Sequence, residues 1–373
     1  MDIGTTEFEE LFSERFAYEY GGDLYAGRYY LESFHPDDRG LMAMIRKRFA
    51  DYLATAAGNG TFVRPLDIHL DYINRPDFNA CAWKVIEPEL YLIGLNAGLM
   101  LRLRGIFNTI LARTPVFSDV CPLPDSEIGT VDTAAILGVD LVAAPRYCRA
   151  PADPQRTYIA AACYQVALEY IFFHELAHVA NGHVDRCLRV NPRAMALGER
   201  DAYTQGDLPR AERQSMELDA DDTAVWWCVG HFRRGDSPVL SRGPFKLDEV
   251  AYLRILMFSL GIVVHCFGGI QKRVLASSSD EYPHDEVRYN IMYSLVMNLL
   301  AADADESLRE AVVAGVMEAR FACDAHFPSK GFPNSFDPEN RTQNVKRVLR
   351  AQYDELLRHR DGWRPFRLRR ASD

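Results

Sequence analysis

Two histidines and a glutamate occur at the spacing His174-Glu175-x-x-His178 within an apolar stretch of the chain. Residues four apart lie on one face of an α-helix, so a helix here would let both imidazoles reach a single metal ion. Neutral imidazole suits Zn²⁺, which in catalytic sites has three protein ligands and one open position. Glu175 would lie beside the ligands, where its carboxylate can take a proton from metal-bound water. The pattern predicts a hydrolytic zinc site and requires a third ligand.

His183 is one candidate for the third ligand, since it follows His174 by nine residues. Metzincins place the third histidine ten residues after the first and a glycine seven residues after it. Here those two positions hold Val184 and Asn181, so the metzincin pattern fails at both. We therefore expect His183 to lie at a helix end or beside a ligand.

Glu217 is the stronger candidate, because it lies on the next long predicted helix in the stretch Glu217-Leu-Asp-Ala-Asp-Asp-Thr-Ala. Its carboxylate can bind zinc directly. Asp221, one turn further along the same face, can accept the free ring N–H of a ligating histidine and so fix its tautomer. Asp219 and Asp222 are expected on a solvent-facing side of that helix.

The elements that must hold these residues are mostly helices, and the predicted class is mainly α with a small β-sheet (α+β). We predict helices at 7–16, 39–57, 97–111, 157–183, 207–232, 248–270, 286–302, 307–321 and 342–360, and a polar connection at 185–206. Strand-like pieces fall at 62–63, 68–73 and 89–95. The predicted organisation is a helical extension at 1–60, a zinc peptidase core at 61–335 and a basic helix or tail at 336–373.

Charge and cysteine usage limit the possible partners and the compartment. The formal net charge of the 373 residues is -10, which disfavours nucleic acid as a partner. Residues 341–373 are basic, and we favour a solvated helix face there over a site for an acidic partner. Eight cysteines without a C-x-x-C pair, and an acidic start without an apolar segment, favour the cytoplasm.

The apolar segment 255–270 requires a decision between a core helix and a membrane contact. It has sixteen residues, shorter than the roughly 20 that a spanning helix needs. We expect no membrane span and a buried helix here. A membrane-associated peptidase anchored by this segment is the alternative, and it predicts exposure.

The pair H-E-x-x-H and E-x-x-A-D-x-x-A resembles gluzincin-type zinc peptidases related to the HtpX heat-shock protease and the CAAX-processing peptidases. Stretches 76–82, 91–99 and 283–288 are similar to further elements of that group. A weaker similarity is to the phage-exclusion peptidase Lit. The resemblance implies a zincin or minigluzincin-like core with extra helices, and a small sheet whose edge strand lies over the metal.

The resemblance also implies a role for each site residue. His174, His178 and Glu217 would bind Zn²⁺, Glu175 would be the general base, and Asp221 would support a ligand. Further contacts to an oxyanion or a substrate would come from Tyr282, His284 and Arg288, and Arg288 would hold either Asp221 or a substrate carbonyl. An extended substrate is expected to pair with residues 91–95.

Two functions follow from these patterns. The favoured one is a zinc endopeptidase that acts on a cytoplasmic protein or peptide. The alternative is a non-catalytic, zinc-binding regulatory or toxin-like interaction protein, whose structural metal would be closed by a fourth protein ligand. Cys187, His183 and His265 are the candidates for that fourth ligand. The sequence leaves the oligomeric state and the substrate open.

Overall fold

The computed structural model describes residues 7–19, 28–33, 36–58, 61–124, 128–129, 150–190, 196–198, 208–234, 247–274, 285–301, 305–326 and 343–368. In these ranges the protein is mostly helical with a small sheet, which confirms the predicted class. The helices are α1 (Glu7–Glu19), α2 (Pro36–Gly58), α3 (Ala97–Arg113), α4 (Pro154–Ala180), α5 (His183–Val190), α6 (Arg210–Arg233), α7 (Glu249–Val274), α8 (Asp285–Leu299), α9 (Glu306–His326) and α10 (Gln343–Trp363). Short 3₁₀ helices lie at Leu31–Ser33 and Arg364–Phe366.

The chain forms two compact units, each made of segments that are far apart in the sequence. The first contains Met1–Met100, Glu175–Glu212 and His359–Asp373, and the second contains Leu101–His174 and Arg213–Arg358. The domain boundaries that we placed at residues 60 and 335 stay a prediction.

The sheet of the first unit has four strands in the order β1-β3-β2-β4. The strands are β1 (Ile68–Ile73), β2 (Ala80–Val85), β3 (Leu90–Asn96) and β4 (Ala196–Gly198). The sequence predicted β1 and β3 but missed β2 and β4, and residues 62–63 contribute no more than an isolated bridge.

β3 is an interior strand, parallel to β1 on one side and antiparallel to β2 on the other. All seven of its residues are buried. Its main-chain N–H and C=O groups are engaged by these two neighbours, so an added strand would find no free ladder there. The expectation that a substrate pairs along residues 91–95 is therefore wrong.

Apolar residues of α1 cover the sheet. Phe12 and Phe16 pack with Ile73, Trp83 and Leu92 in one buried cluster. The periodicity of α1 explains this packing, because positions four apart share a face and both phenylalanines can turn toward the strands.

Charged residues also join the N-terminal segments of the first unit. Arg28 and Arg46 both bind the buried carboxylate of Glu9, at 2.8 and 2.7 Å. Arg28 also pairs with Asp71 of β1. Because each of these buried charges has an opposite partner, their desolvation is offset.

α7 forms the centre of the second unit, where it packs closely on α9. A Cβ built on Gly315 of α9 would collide with the backbone carbonyl of Arg254, so only glycine allows this approach. In the described part of the chain, α7 is the one helix long and apolar enough to cross a membrane, and 83% of its apolar stretch within Glu249–Phe267 is buried. Side chains 255–267 are buried, as the core-helix interpretation expects, and side chains 268–270 lie outside the described residues.

Candidate metal centre

α4 carries both histidines and the glutamate of the H-E-x-x-H pattern. The helix begins with Pro154, which suits a first helical turn, and Asp153 caps it by accepting a hydrogen bond from the backbone N–H of Arg156 at 2.8 Å. His174, Glu175 and His178 are each at most 2% exposed. The helix therefore holds three polar side chains in a buried position, where they require partners.

The three predicted ligands lie together. The potential ligand atoms of His174, His178 and Glu217 are all within 4.8 Å of one another, and all three residues are buried. Nε2 of His174 lies 3.3 Å from Oε2 of Glu217. Two ligands at zinc bond lengths and tetrahedral angles would be about 3.4 Å apart. The donor set and this separation fit a metal ion such as Zn²⁺.

Asp221 contacts Nδ1 of His174, the ring nitrogen that does not face Glu217. Its Oδ1 lies 2.9 Å from Nδ1 of His174, which leaves Nε2 to face Glu217. Arg288 donates two hydrogen bonds to the same carboxylate, from Nε to Oδ2 at 2.8 Å and from Nη2 to Oδ1 at 2.9 Å. The hydroxyl of Tyr170 donates a further hydrogen bond to Oδ1 at 2.6 Å. Asp221 thus orients one ligand and is itself held by three hydrogen bonds from two residues.

Tyr170 was not singled out from the sequence. It precedes His174 by four residues on α4, so it shares a face with the ligand and lies one turn away. That spacing was an available signal, but a tyrosine in an apolar helix has many structural uses.

The charges around His174 favour a cation. Burial disfavours the imidazolium, yet Asp221 and Glu217 outweigh this effect and raise the pKa of His174 well above its usual value. Burial also opposes the charge of Asp221, but Arg288, followed by His174, holds the pKa of Asp221 well below its usual range. Because Arg288 neutralises one of the two carboxylates, the other leaves a net negative charge at the imidazole, which attracts a proton or a metal ion.

His178 has a different neighbour. Its Nδ1 lies 3.0 Å from Nδ1 of His183, which is fully buried. The ring of His183 also meets the ring of Trp363 edge to face, with centroids 5.0 Å apart. Because His183 engages Nδ1 of His178, Nε2 is the ring nitrogen available to a metal ion.

The end of α4 differs from the prediction. The helix stops at Ala180 instead of His183, and residues 183–190, expected as the end of α4 and a polar connection, form α5. The cause is Gly182, whose φ of 82° lies in the left-handed region that ends many helices. The turn redirects the chain so that His183 begins a new helix.

The remaining predicted residues have mixed outcomes. Tyr282 and His284 lie outside the described residues, and Arg288 lies on Asp221. Asp219 is fully buried, so its assignment to a solvent-facing side was wrong, whereas Asp222 is partly exposed.

The proposed fourth ligands do not join the cluster. Within the ranges that the structure covers, the group of potential ligands has three members, and it does not include Cys187, His183 or His265. A metal bound by three protein groups keeps a position for water, as catalytic zinc sites do.

Comparison with known proteins supports a peptidase. A family model described as Peptidase U49 matches residues 139–302, less than half of the chain, and this range includes all three members of the cluster. The match points to Lit-like peptidases, in agreement with the weaker of the two resemblances. Neither the curated proteins nor the solved structures contain a match to the chain. The resemblance to the HtpX and CAAX-processing group stays a prediction.

Proposed function

We propose that this protein is a zinc-dependent endopeptidase that cleaves a cytoplasmic protein. The observation that carries the proposal is the buried cluster of His174, His178 and Glu217, in which the Nδ1 atom of each histidine already has a protein partner. Such partners fix the tautomer and orientation of ligating histidines. The match to a peptidase family supports the same reaction class.

Zn²⁺, when bound by these three residues, would act as a Lewis acid that lowers the pKa of a water ligand toward about 7. Glu175 is the proposed general base. Its carboxylate accepts the proton that water loses as it attacks the peptide carbonyl, and then delivers this proton to the leaving amine. Asp221 holds His174 in position during both steps.

Stabilisation of the developing oxyanion needs a further donor. Tyr282 and His284 remain our candidates from the sequence. Arg288 has its Nε and Nη2 on Asp221, which favours a supporting role over a contact with substrate.

The cytoplasmic location is part of the proposal. The seven cysteines that the structure describes are buried and form no disulfide, as expected for a protein of a reducing compartment.

The test compares Glu175→Gln with Glu169→Gln, a second buried glutamate on the same helix. Both variants and the wild type are purified, analysed for metal content, and incubated with a cytoplasmic lysate in which new peptide N-termini are counted. We expect about one zinc per chain in all three proteins. Cleavage should fall by about 10²–10⁴-fold in Glu175→Gln alone, because only that variant removes the proposed base.

Three results would contradict the proposal. Zinc-loaded wild type that generates no new termini would favour the non-catalytic, zinc-binding alternative. Equal cleavage by wild type and Glu175→Gln would remove Glu175 from the mechanism. Absence of zinc from the wild type would refute the ligand assignment.

A further inference from the structure

The C-terminal residues of the first unit lie against the end of the metal-binding helix. We call Trp363–Leu368 the C-terminal clasp. The backbone N–H of Leu368 donates a hydrogen bond to the carbonyl of Ala180 at 2.8 Å, and the carbonyl of Leu368 accepts one from Val63 at 2.6 Å. The last carbonyls of an α-helix have no partner within the helix, so the clasp satisfies one that α4 leaves free.

The turn after α4 is shaped for this contact. A Cβ built on Gly182 would collide with the backbone carbonyl of Phe366. Gly182 therefore serves two purposes, since it adopts a positive φ and leaves room for the main chain of the clasp. The clasp and the turn could not approach this closely with any other residue at position 182.

The clasp also reaches the second histidine ligand through one intermediate. Trp363 is fully buried and packs edge to face on His183, with the two ring planes at 88°. His183 in turn places Nδ1 at 3.0 Å from Nδ1 of His178. For Nε2 of His178 to bind a metal, its Nδ1 must carry the proton and donate to His183, so the orientation of His183 selects the tautomer of His178.

We propose that the C-terminal clasp positions the metal ligand His178 through Trp363 and His183. The clasp lies outside the range 139–302 that the peptidase family model matches. As far as it concerns metal affinity, the inference rests on the proposed function. Its structural part, the control of the His178 tautomer, does not.

Trp363 could instead be one more core residue, and a matched control separates the two cases. Trp83, in the sheet of the same unit, is 1% exposed and packs edge to face on Phe16 at 5.6 Å. Trp363→Leu and Trp83→Leu remove the same side chain from equally buried positions. Thermal unfolding of both full-length variants measures how much general stability each loses.

The first measurement is zinc affinity by competition with a chelator. We expect Trp363→Leu and His183→Ala to weaken zinc binding by about 10–100-fold, the usual effect of losing a partner behind a metal ligand. Trp83→Leu should retain wild-type affinity, and Trp363→Phe should recover most of it because an aromatic ring still meets His183. Equal losses in Trp363→Leu and Trp83→Leu, or unchanged affinity in His183→Ala, would overturn the proposal.

The second measurement needs neither zinc nor activity. Nitrogen NMR of ¹⁵N-histidine-labelled, metal-free protein reports which ring nitrogen of His178 carries the proton. We expect the Nδ1–H tautomer in the wild type and in Trp83→Leu, and a mixture in Trp363→Leu. If the wild type bound no zinc, the proposed function would fail while this signal still decided the inference. Identical spectra in all three proteins would refute it.

Discussion

His174 and His178 lie one turn apart on α4, yet their Nδ1 atoms have partners of opposite character. Nδ1 of His174 lies on the carboxylate of Asp221, which is charged, fully buried and held by Arg288 and Tyr170. Nδ1 of His178 lies on the ring of another histidine, which packs on a tryptophan. One ligand is therefore held by a charge network and the other by packing.

This difference determines how each support should fail. Removing one member of a buried ion pair leaves an uncompensated charge, which costs several kcal/mol. Removing an aromatic neighbour costs packing and leaves no charge behind. The supports of His174 also fall within the family match at 139–302, whereas Trp363 does not. We expect the His174 supports to dominate stability and the His178 supports to adjust metal affinity.

Asp221→Asn should have the largest effect. It leaves the guanidinium of Arg288 buried, at 3% exposure, without its carboxylate. We expect a loss of about 3–5 kcal/mol in the free energy of unfolding. Zinc affinity should fall by about 10–100-fold, because the carboxylate behind His174 becomes a neutral amide, which is a weaker acceptor for Nδ1–H. Denaturant unfolding and chelator competition measure the two effects.

The double variant Asp221→Asn/Arg288→Met separates stability from metal binding. Methionine removes the stranded charge while keeping much of the side-chain volume, so most of the lost stability should return. Zinc affinity should stay low, because the carboxylate behind His174 is still absent. Recovery of both quantities together would show that Asp221 acts on the metal site only through the fold.

Acid should weaken the charge network in a defined pH range. Burial disfavours the charge of Asp221, but Arg288 holds its pKa well below the usual value of about 3.9. In the unfolded chain this carboxylate binds a proton below about pH 3.9, while in the folded chain it stays ionised. Stability from a lowered pKa is present above the unfolded value and is lost as pH falls toward the folded value.

The measurement is the free energy of unfolding of metal-free protein between pH 5 and 3. Both proteins carry His174→Gln, because Asp221, against the effect of burial, raises the pKa of that imidazole and its titration would otherwise differ between them. In this background, the chain with Asp221 should lose about 1.4 kcal/mol per pH unit more below about pH 3.9 than the chain with Asp221→Asn. Glu89, whose pKa is lowered to about 2, mainly by Arg64 and then by Lys84, titrates in the same range in both proteins and cancels in the difference. Parallel pH profiles would mean that Asp221 is not ionised in the folded protein.

The sequence predicted the parts of the site that depend on local geometry. Positions 174 and 178 share a helix face by spacing alone, and Glu217 and Asp221 do so on the next helix. It could not predict contacts that depend on distant segments. The ring of His183 packs on Trp363, which is 180 residues away. β3 is interior because it pairs with β2 as well as β1, and β2 was not predicted because its alternation of polar and apolar residues is weak.

The sequence also could not predict where α4 ends or which single carboxylates are buried. The end of α4 depends on a glycine that tolerates a positive φ next to Phe366, a neighbour far along the chain. Asp219 looked like part of an acidic surface because Asp221 and Asp222 adjoin it, but packing around α6 buries it. Composition shows that a helical segment is acidic, whereas tertiary contacts decide which of its carboxylates are buried.

Tyr170→Phe should have the smallest effect on the charge network. The variant removes one hydrogen bond to the carboxylate of Asp221 and leaves both bonds from Arg288 in place. The control is Tyr289→Phe, in which another fully buried hydroxyl loses a bond of 2.8 Å to the carbonyl of Met257. Each variant should lose about 1–2 kcal/mol of stability.

The two tyrosine variants should differ only in metal binding. If the Tyr170 hydroxyl helps to orient Asp221 behind His174, Tyr170→Phe should weaken zinc affinity severalfold. This loss should be smaller than the loss of about 10–100-fold expected when the carboxylate itself is replaced. Tyr289→Phe should retain the affinity of the wild type, because its hydroxyl donates to the backbone of α7 and not to Asp221. Equal zinc affinities in both variants would mean that the Tyr170 hydroxyl does not help to orient Asp221. Arg288 would then be the residue that holds Asp221 behind His174.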